Sequence, residues 1–487
     1  MLRYRSLLLL FCFLVPSLWV LSQQEPFAKE IEDRIRLVEK GLSGWVVSPD
    51  SNWNLQERMA YHKIPGVSIA VIRNYTLEWA RGYGWADTSD KRPVTSETLF
   101  QAASISKSLN AVGVLRLVKN KKLDLTKDIN SYLTSWKFPY DTSKTHNVPI
   151  TLTHLLSHTA GLSVHGFPGY KWTDDLPSDD QILDGTKPAN TAAVRSEFEP
   201  GQKVKYSGGG TTISKKIITD VTGQDYDEFM AKEVLQPLGM QYSFYTQPPP
   251  PQAFPKLATA HYRNGNPIVG KFHIYPEQAA DGLWTNPTEL AKYIVEMQMA
   301  FEGRSNRVLP KKLAEIMFEP TMGDAALGVF VETRGQRKYF GHGGANAGFR
   351  CQYYGSLNGG DGVVVMVNSD NGAIISEIIN AVASVYGWTG FSSQVAKQIV
   401  PVHVDTLITY TGTYKFESTT LKVIQKGEAL FLSQDDAAAS RMYFTSPTDF
   451  FIMDVNAEFK FEKNAQGLVD TMRVKQGGRD FTGKRIL

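Results

Sequence analysis

The chain has 487 residues, room for two or three domains at roughly 150 residues each. Hydrophobic residues at 42% and charged residues at 21% exclude a disordered or coiled-coil chain. Lys and Arg number 52 against 49 Asp and Glu, which excludes a nucleic-acid binder working by blanket phosphate neutralisation, and the 2 cysteines exclude a disulfide-stapled mini-domain or a Cys-based metal site.

In chain order, the first element is an address. Arg3 and Arg5 precede an almost wholly apolar stretch over residues 7–21, with small residues near Gln23. This three-part pattern predicts a secretory signal peptide over residues 1–22. The run is shorter than the roughly 20 residues of a spanning helix and is interrupted by Pro16, so cleavage is favoured over a retained anchor. No later segment is apolar enough to span a bilayer. The expected location is secreted or periplasmic. Loss of the signal removes Cys12 and leaves Cys351 unpaired, read as buried and inert.

Residues 25–62 read as helical and amphipathic. Residues 67–72 and 77–85 form a hairpin across Arg73-Asn74-Tyr75. Residues 105–118 carry apolar side chains at helical spacing. A helix starts at 151–157, an irregular polar stretch fills 170–200, and helices follow at 210–221 and 226–235. Pro248–Pro251 is a stiff linker, and 288–301 is helical. Strands are predicted at 326–332, 337–341, 350–354 and 362–368, then a closing helix at 374–386. From 410 onward the pattern changes to eight short strands with frequent turns, the signature of a small antiparallel barrel or sandwich. The domain expectation is a mixed α+β (α/β) body over 23–395 and a β module over 405–487.

Three segments could carry chemistry. Ser104-Ile105-Ser106-Lys107 opens a helix, and it is the one Ser-x-x-Lys of the chain. Side chains three apart share a helix face. A serine hydroxyl needs a base to become a nucleophile, and a lysine serves if its surroundings tune it. The bland reading is a capping serine beside a surface lysine. Lys205-Tyr206-Ser207-Gly208-Gly209-Gly210 stands before a helix; a phenol with little bulk around it can shuttle a proton, or the segment is a plain turn. In Gly341-His342-Gly343-Gly344-Ala345-Asn346, glycines on a strand admit a ligand or a second backbone. His342 could donate a hydrogen bond or carry charge, and a backbone N–H could hold an oxyanion; an ordinary Gly-rich hairpin is the alternative. Gly-x-Ser-x-Gly and His-Glu-x-x-His are absent from the sequence. His154 and His158 read as satisfied imidazoles in a packed turn rather than a metal pair.

Together the three segments resemble the penicillin-recognising serine hydrolases: the class C β-lactamase, D-alanyl-D-alanine-peptidase, esterase and D-aminopeptidase group. Ile64-Pro65-Gly66-Val67, Glu199-Pro200-Gly201, Pro237-Leu238-Gly239-Met240 and Gly282-Leu283-Trp284-Thr285 resemble its recurring segments. The resemblance implies an antiparallel sheet flanked by helices with an all-α lobe, followed by a lipocalin-like barrel. It implies Ser104 as acylated nucleophile, Lys107 as partner base and Tyr206 as proton shuttle. His342, Gly344 and Gly208 would line the substrate site, and the N–H groups of Ser104 and Ala345 would form the oxyanion hole. No cofactor or metal is implied, and the partner is a small or peptide-like acyl substrate. Two departures stand out: Gly208 where many members carry Asn, and His342 where dedicated β-lactamases carry Lys. Both suit an esterase, small amidase or D-aminopeptidase. The alternatives are a D,D-carboxypeptidase or weak β-lactamase, and, from another class, a catalytically poor binding or sensor protein.

Overall fold

The computed structural model describes residues 27–42, 46–47, 53–391, 395–417, 419–434, 439–453, 455, 457–476 and 479–486. The signal expected over 1–22 lies outside the described residues.

Seven strands form one antiparallel sheet: β1 (Gly66–Arg73), β2 (Thr76–Asp87), β3 (Arg92–Pro93), β4 (Phe330–Arg334), β5 (Arg337–Asn346), β6 (Phe349–Ser356) and β7 (Gly362–Val367), in the order β3-β2-β1-β7-β6-β5-β4. The central strands β1 and β7 pair from Val67↔Val367 to Ile72↔Gly362. Alternate residues serve opposite faces, as strand geometry requires. Val67, Ile69, Val71, Val363, Val365 and Val367 enter one core, while Ala70, Ile72, Val364 and Met366 enter the other. A strand buried on both faces has a continuous apolar run rather than alternation, and both strands read that way.

The first core is covered by helices α1 (Lys29–Lys40), α2 (Leu55–His62) and α6 (Ala373–Tyr386); the second by α3 (Ser106–Lys119), α4 (Gly208–Thr222) and α5 (Pro287–Phe301). The single helix expected over 25–62 is thus two. Gly41 ends α1. Asn54 restarts the chain as an N-cap, its side chain accepting from the Glu57 N–H at 2.8 Å within a capping box. That Asn-x-x-Glu signal was present in the sequence. Among the described residues no helix is long and apolar enough to cross a membrane.

The C-terminal strands close into an eight-stranded antiparallel barrel: β8 (Gly412–Lys415), β9 (Thr420–Lys426), β10 (Ala429–Gln434), β11 (Ser440–Phe444), β12 (Asp449–Ile452), β13 (Glu458–Lys463), β14 (Val469–Gln476) and β15 (Arg479–Arg485), sealed by β8 against β15. One short helix, Val404–Ile408, leads in, so Tyr410 is not on the first strand. It fills the barrel instead, stacked on Phe461 at 4.3 Å and 1°. Phe461 also meets Phe450 at 4.8 Å. Phe461→Ala should therefore cost the barrel about 3–5 kcal/mol, read as an earlier barrel transition in urea followed by near-ultraviolet circular dichroism.

Candidate active site

The turn that carries Ser104 is held from several sides. The Ala102 N–H donates to the Leu283 carbonyl at 2.8 Å. Ser106 Oγ donates to the Ala103 carbonyl at 2.6 Å and accepts from the Leu283 N–H at 3.0 Å. Ala103 adopts φ +47°, a left-handed conformation that costs an L-residue about 1–2 kcal/mol. This tight bend delivers Ser104 to the start of α3. One turn on, Lys107 is 2% exposed. Its Nζ donates to Ser104 Oγ at 2.9 Å and to the Ala280 carbonyl at 2.8 Å. The carboxylate of Asp281 completes the group: Ser104 Oγ donates to its Oδ1 at 3.1 Å, and Lys107 Nζ stands 3.5 Å from the same atom. Burial disfavours the Lys107 ammonium, but the Asp281 carboxylate and then the Tyr206 phenol more than offset it, leaving Lys107 above the ordinary lysine value.

Tyr206 comes from the loop before α4, whose N-cap Ser207 accepts from the Gly210 N–H at 3.0 Å. The Tyr206 ring lies 4.1 Å from His158, 4.9 Å from His165 and 6.0 Å from His342 between centroids, and Lys107 Nζ is 5.1 Å from its centre. Gly208 is not beside Ser104. It is buried behind Phe167 and the His165 carbonyl, which would stand 3.0 and 3.1 Å from an added Cβ. Its N–H donates to that carbonyl at 2.9 Å. An asparagine here would have to displace the Phe167 ring.

The third segment lies on β5. Pairing with β4 ends at Phe330↔Gly341, whereas pairing with β6 continues to Asn346↔Phe349. The edge over 342–346 is therefore unpaired by β4. At Gly344 an added Cβ would stand 2.3 Å from the Ala102 carbonyl and 2.5 Å from Cys351 Sγ, so only glycine lets the strand approach the Ser104 turn. Cys351 is buried and donates to that same carbonyl at 3.1 Å, in keeping with its reading as an inert thiol.

His342 does not carry charge, contrary to one of the two roles open to it in the sequence. Burial, with Lys107's positive charge next, pushes it down to about 3. Its Nδ1 faces the Gly343 carbonyl at 2.6 Å and so holds the proton, leaving Nε2 as a lone-pair acceptor with no partner among the described residues. His158 is likewise driven well down by burial. Its Nδ1 accepts from the Ser207 N–H at 3.2 Å, but its Nε2 finds no partner among the described residues. The satisfied-imidazole reading holds for one nitrogen of this ring and not the other, because the ring packs against Tyr206 rather than inside a turn of its own.

Ser104, Tyr206, His342, Gly344 and Ala345 line one cleft of about 650 Å³, which extends past Arg334 and Arg350; Lys107 lies beneath Ser104. Asp281 escaped the sequence reading. It directly precedes the recognised Gly282-Leu283-Trp284-Thr285 segment, yet no motif marks it, and only the fold places it against Ser104. Among the described residues no three His, Cys, Asp or Glu side chains gather as a metal site.

Comparison with known proteins gives the family and the fold. The Beta-lactamase family profile matches residues 53–380, two thirds of the chain, and the chain belongs to that family, a family of serine hydrolases whose members are generally enzymes. Protein flp of Staphylococcus aureus (strain MRSA252) is 26% identical over 189 residues, 38% of this chain and 35% of that protein. Penicillin-binding protein 4* of Bacillus subtilis (strain 168) is 27% identical over 181 residues, 37% of each. The match thus spans about a third of the length of these curated relatives. Among solved structures, the octameric penicillin-binding protein homologue from Pyrococcus abyssi superposes with TM-score 0.58 at 20% identity, covering 88% of this chain and 98% of that one. The D-amino acid amidase from Ochrobactrum anthropi SV3, complexed with L-phenylalanine amide, superposes with TM-score 0.57 at 20% identity, covering 73% and 99%. At these identities the two structures share the fold.

The buried His342 has a measurable consequence for stability. Its folded-state value lies below the ordinary 6.5, so the unfolded chain binds its proton first as acid is added. The stability is present above about pH 6.5 and drains as pH falls toward about 3, by up to about 1.4 kcal/mol per unit. Urea unfolding at about pH 7.5 and pH 5 should show a smaller loss for His342→Gln than for the wild type.

Proposed function

We propose that the protein is an exported serine hydrolase that works through an acyl-enzyme at Ser104 on an ester or amide, of the esterase, D-aminopeptidase or small-amidase type. The observation that carries this reading is the 2.9 Å hydrogen bond from Lys107 to Ser104 Oγ at the floor of an open cleft. Ser104 attacks the acyl carbon while Lys107 and Tyr206 move protons around it. The Ser104 N–H at the helix start and the Ala345 N–H on the open edge of β5 hold the oxyanion. Water then releases the acyl group. Export rests on the Arg3, Arg5 and residues 7–21 pattern. An acyl-amide substrate is supported by the fold shared with a D-amino acid amidase. The neutral His342 weighs against a tuned β-lactamase, since no permanent cation awaits the substrate at that place. The described residues that line the cleft run from Ser104 to Phe391, which supports assigning the chemistry to the body and not to the barrel.

A panel of p-nitrophenyl esters, D-amino-acid amides and a chromogenic cephalosporin separates the substrate classes; turnover of the cephalosporin alone would reverse the preference stated here. Ser104→Ala should abolish turnover and covalent labelling by a fluorophosphonate with the thermal melt unchanged. Lys107→Ala and Tyr206→Phe should each lower acylation by roughly 10²–10⁴-fold, and the double variant should lose far less than the product of the two. A chain ending at Val400 should melt cooperatively and still be labelled at Ser104. If it folds and is wholly unreactive, the barrel supplies part of the site.

A further inference from the structure

We propose that Asp281 is a further catalytic residue of this site, the group that accepts the Ser104 proton as the acyl-enzyme forms. The inference rests on Ser104 being the nucleophile and names the base that acts on it. Its first support is geometric. The Asp281 side chain is only 4% exposed, yet its Oδ1 stands 3.1 Å from Ser104 Oγ. An ammonium has three donors and no acceptor. Lys107, 2.9 Å from the same Oγ and 2.8 Å from the Ala280 carbonyl, therefore gives its hydrogens to both, and the Ser104 hydrogen is left to point at Asp281. A neutral lysine would have to reverse the first of these bonds.

The surroundings favour the charged arrangement. Burial works against the ammonium, but the Asp281 carboxylate and Tyr206 phenol hold the proton on Lys107. Several of the titratable groups around the carboxylate are neutral near pH 7. Glu277, four residues earlier and just before the short helix Gln278–Asp281, is fully buried with both oxygens unpartnered among the described residues, and burial pushes it up to about 8. Burial likewise raises Tyr275 and the Cys351 thiol, and His342 and His158 are neutral. Lys215 is bound to Asp179 at 2.7 Å. What remains at the nucleophile is one cation that can only donate and one anion that can only accept.

In the acylation step the Ser104 Oγ–carbon bond forms and the carbonyl π pair moves to its oxygen. The Ser104 O–H bond breaks and its proton passes to Asp281 Oδ1, while Lys107 remains charged against Oγ. When the intermediate collapses, the bond to the leaving group breaks. The leaving group takes a proton from Lys107, relayed by Tyr206, and the Asp281 proton refills Lys107. Deacylation runs the relay in reverse: water gives up a proton through Tyr206 and Lys107 to Asp281 as its oxygen bonds to the acyl carbon, and Asp281 returns a proton to Ser104 Oγ as the Oγ–carbon bond breaks.

The test is the acylation rate of the full chain with a p-nitrophenyl ester, whose leaving group needs no protonation, between about pH 6 and 8. The wild type should be nearly flat across this range. Asp281→Asn keeps the backbone carbonyl that accepts from Asn346 Nδ2 at 3.1 Å. It should acylate roughly 10²–10⁴-fold more slowly at pH 7, with a rate that rises with pH over the range in which Lys107, no longer held by the carboxylate, still has a proton to lose. Asp281→Glu should recover part of the rate and the flat profile. An Asn variant within about threefold of wild type, or a wild type that itself climbs about tenfold per unit, overturns the inference; the second readout needs no variant to fold. Mass spectrometry after fluorophosphonate labelling separates this from a failure at Ser104. Label persisting in Ser104→Ala removes the nucleophile and the inference together. Label lost there, with Asp281→Asn kinetically silent, removes Asp281 alone.

Discussion

Everything at the cleft is placed by the approach of two backbones, the Ser104 turn and the glycine strand that faces it. The Ala102 carbonyl sits where a side chain at Gly344 would begin, and the same carbonyl receives the Cys351 thiol from the next strand. The turn cannot relax away from this contact. On its other side the Ala102 N–H and the Ser106 hydroxyl are fastened to Leu283. The left-handed Ala103 is a product of that confinement: a strained residue persists where its surroundings over-determine it. The bend brings the open edge of β5 alongside the start of α3, where free N–H groups favour developing negative charge.

The same confinement sets the electrostatics. A buried charge survives only with a partner, and here Lys107 and the histidines His342 and His158 acquire partners unequally. Lys107 has Asp281, Ala280 and Ser104 within reach, so it keeps its proton despite burial. His342 and His158 face a carbonyl, an N–H, aromatic rings and the Lys107 charge, and they lose theirs. Around Ser104 the cleft therefore sets a neutral His342 above a compensated Lys107–Asp281 pair, with Arg334 and Arg350 further along it.

Much of this was legible in the sequence, for reasons that differ by element. The buried strands β1 and β7 announce themselves as unbroken apolar runs, and the barrel as eight short strands between turns. Ser104, Lys107, Tyr206 and His342 stand in segments whose glycines or helical spacing already constrain the chemistry. What escaped depends on the fold. The split between α1 and α2 turns on a capping box at Asn54 that the longer amphipathic pattern concealed. Gly208 looked like a cleft residue because of its place after Tyr206, and only the position of Phe167 shows it is not. Asp281 sits 177 residues from Ser104, beyond any local pattern. The charge state of His342 follows from burial, which spacing does not encode.

The topology ties these observations together. β1 and β7, paired at the middle of the sheet, are about three hundred residues apart in the chain, so the sheet cannot close until most of the body has been made. The site draws on four separate stretches, at Ser104, Tyr206, Asp281 and His342, and none of them forms a pocket by itself. Asp281 and Leu283 arrive on one segment, so the tie that fixes the Ser104 turn through Leu283 also fixes the carboxylate beside Ser104 Oγ. Lys107, carried by a helix whose start is that same turn, then meets an acid already in place. Burial of the lysine and supply of its counter-charge are thus one structural event, which avoids the several kcal/mol that an uncompensated ion would cost inside a protein. The arrangement that holds the fold at this point and the arrangement that poises the serine are made by the same few bonds.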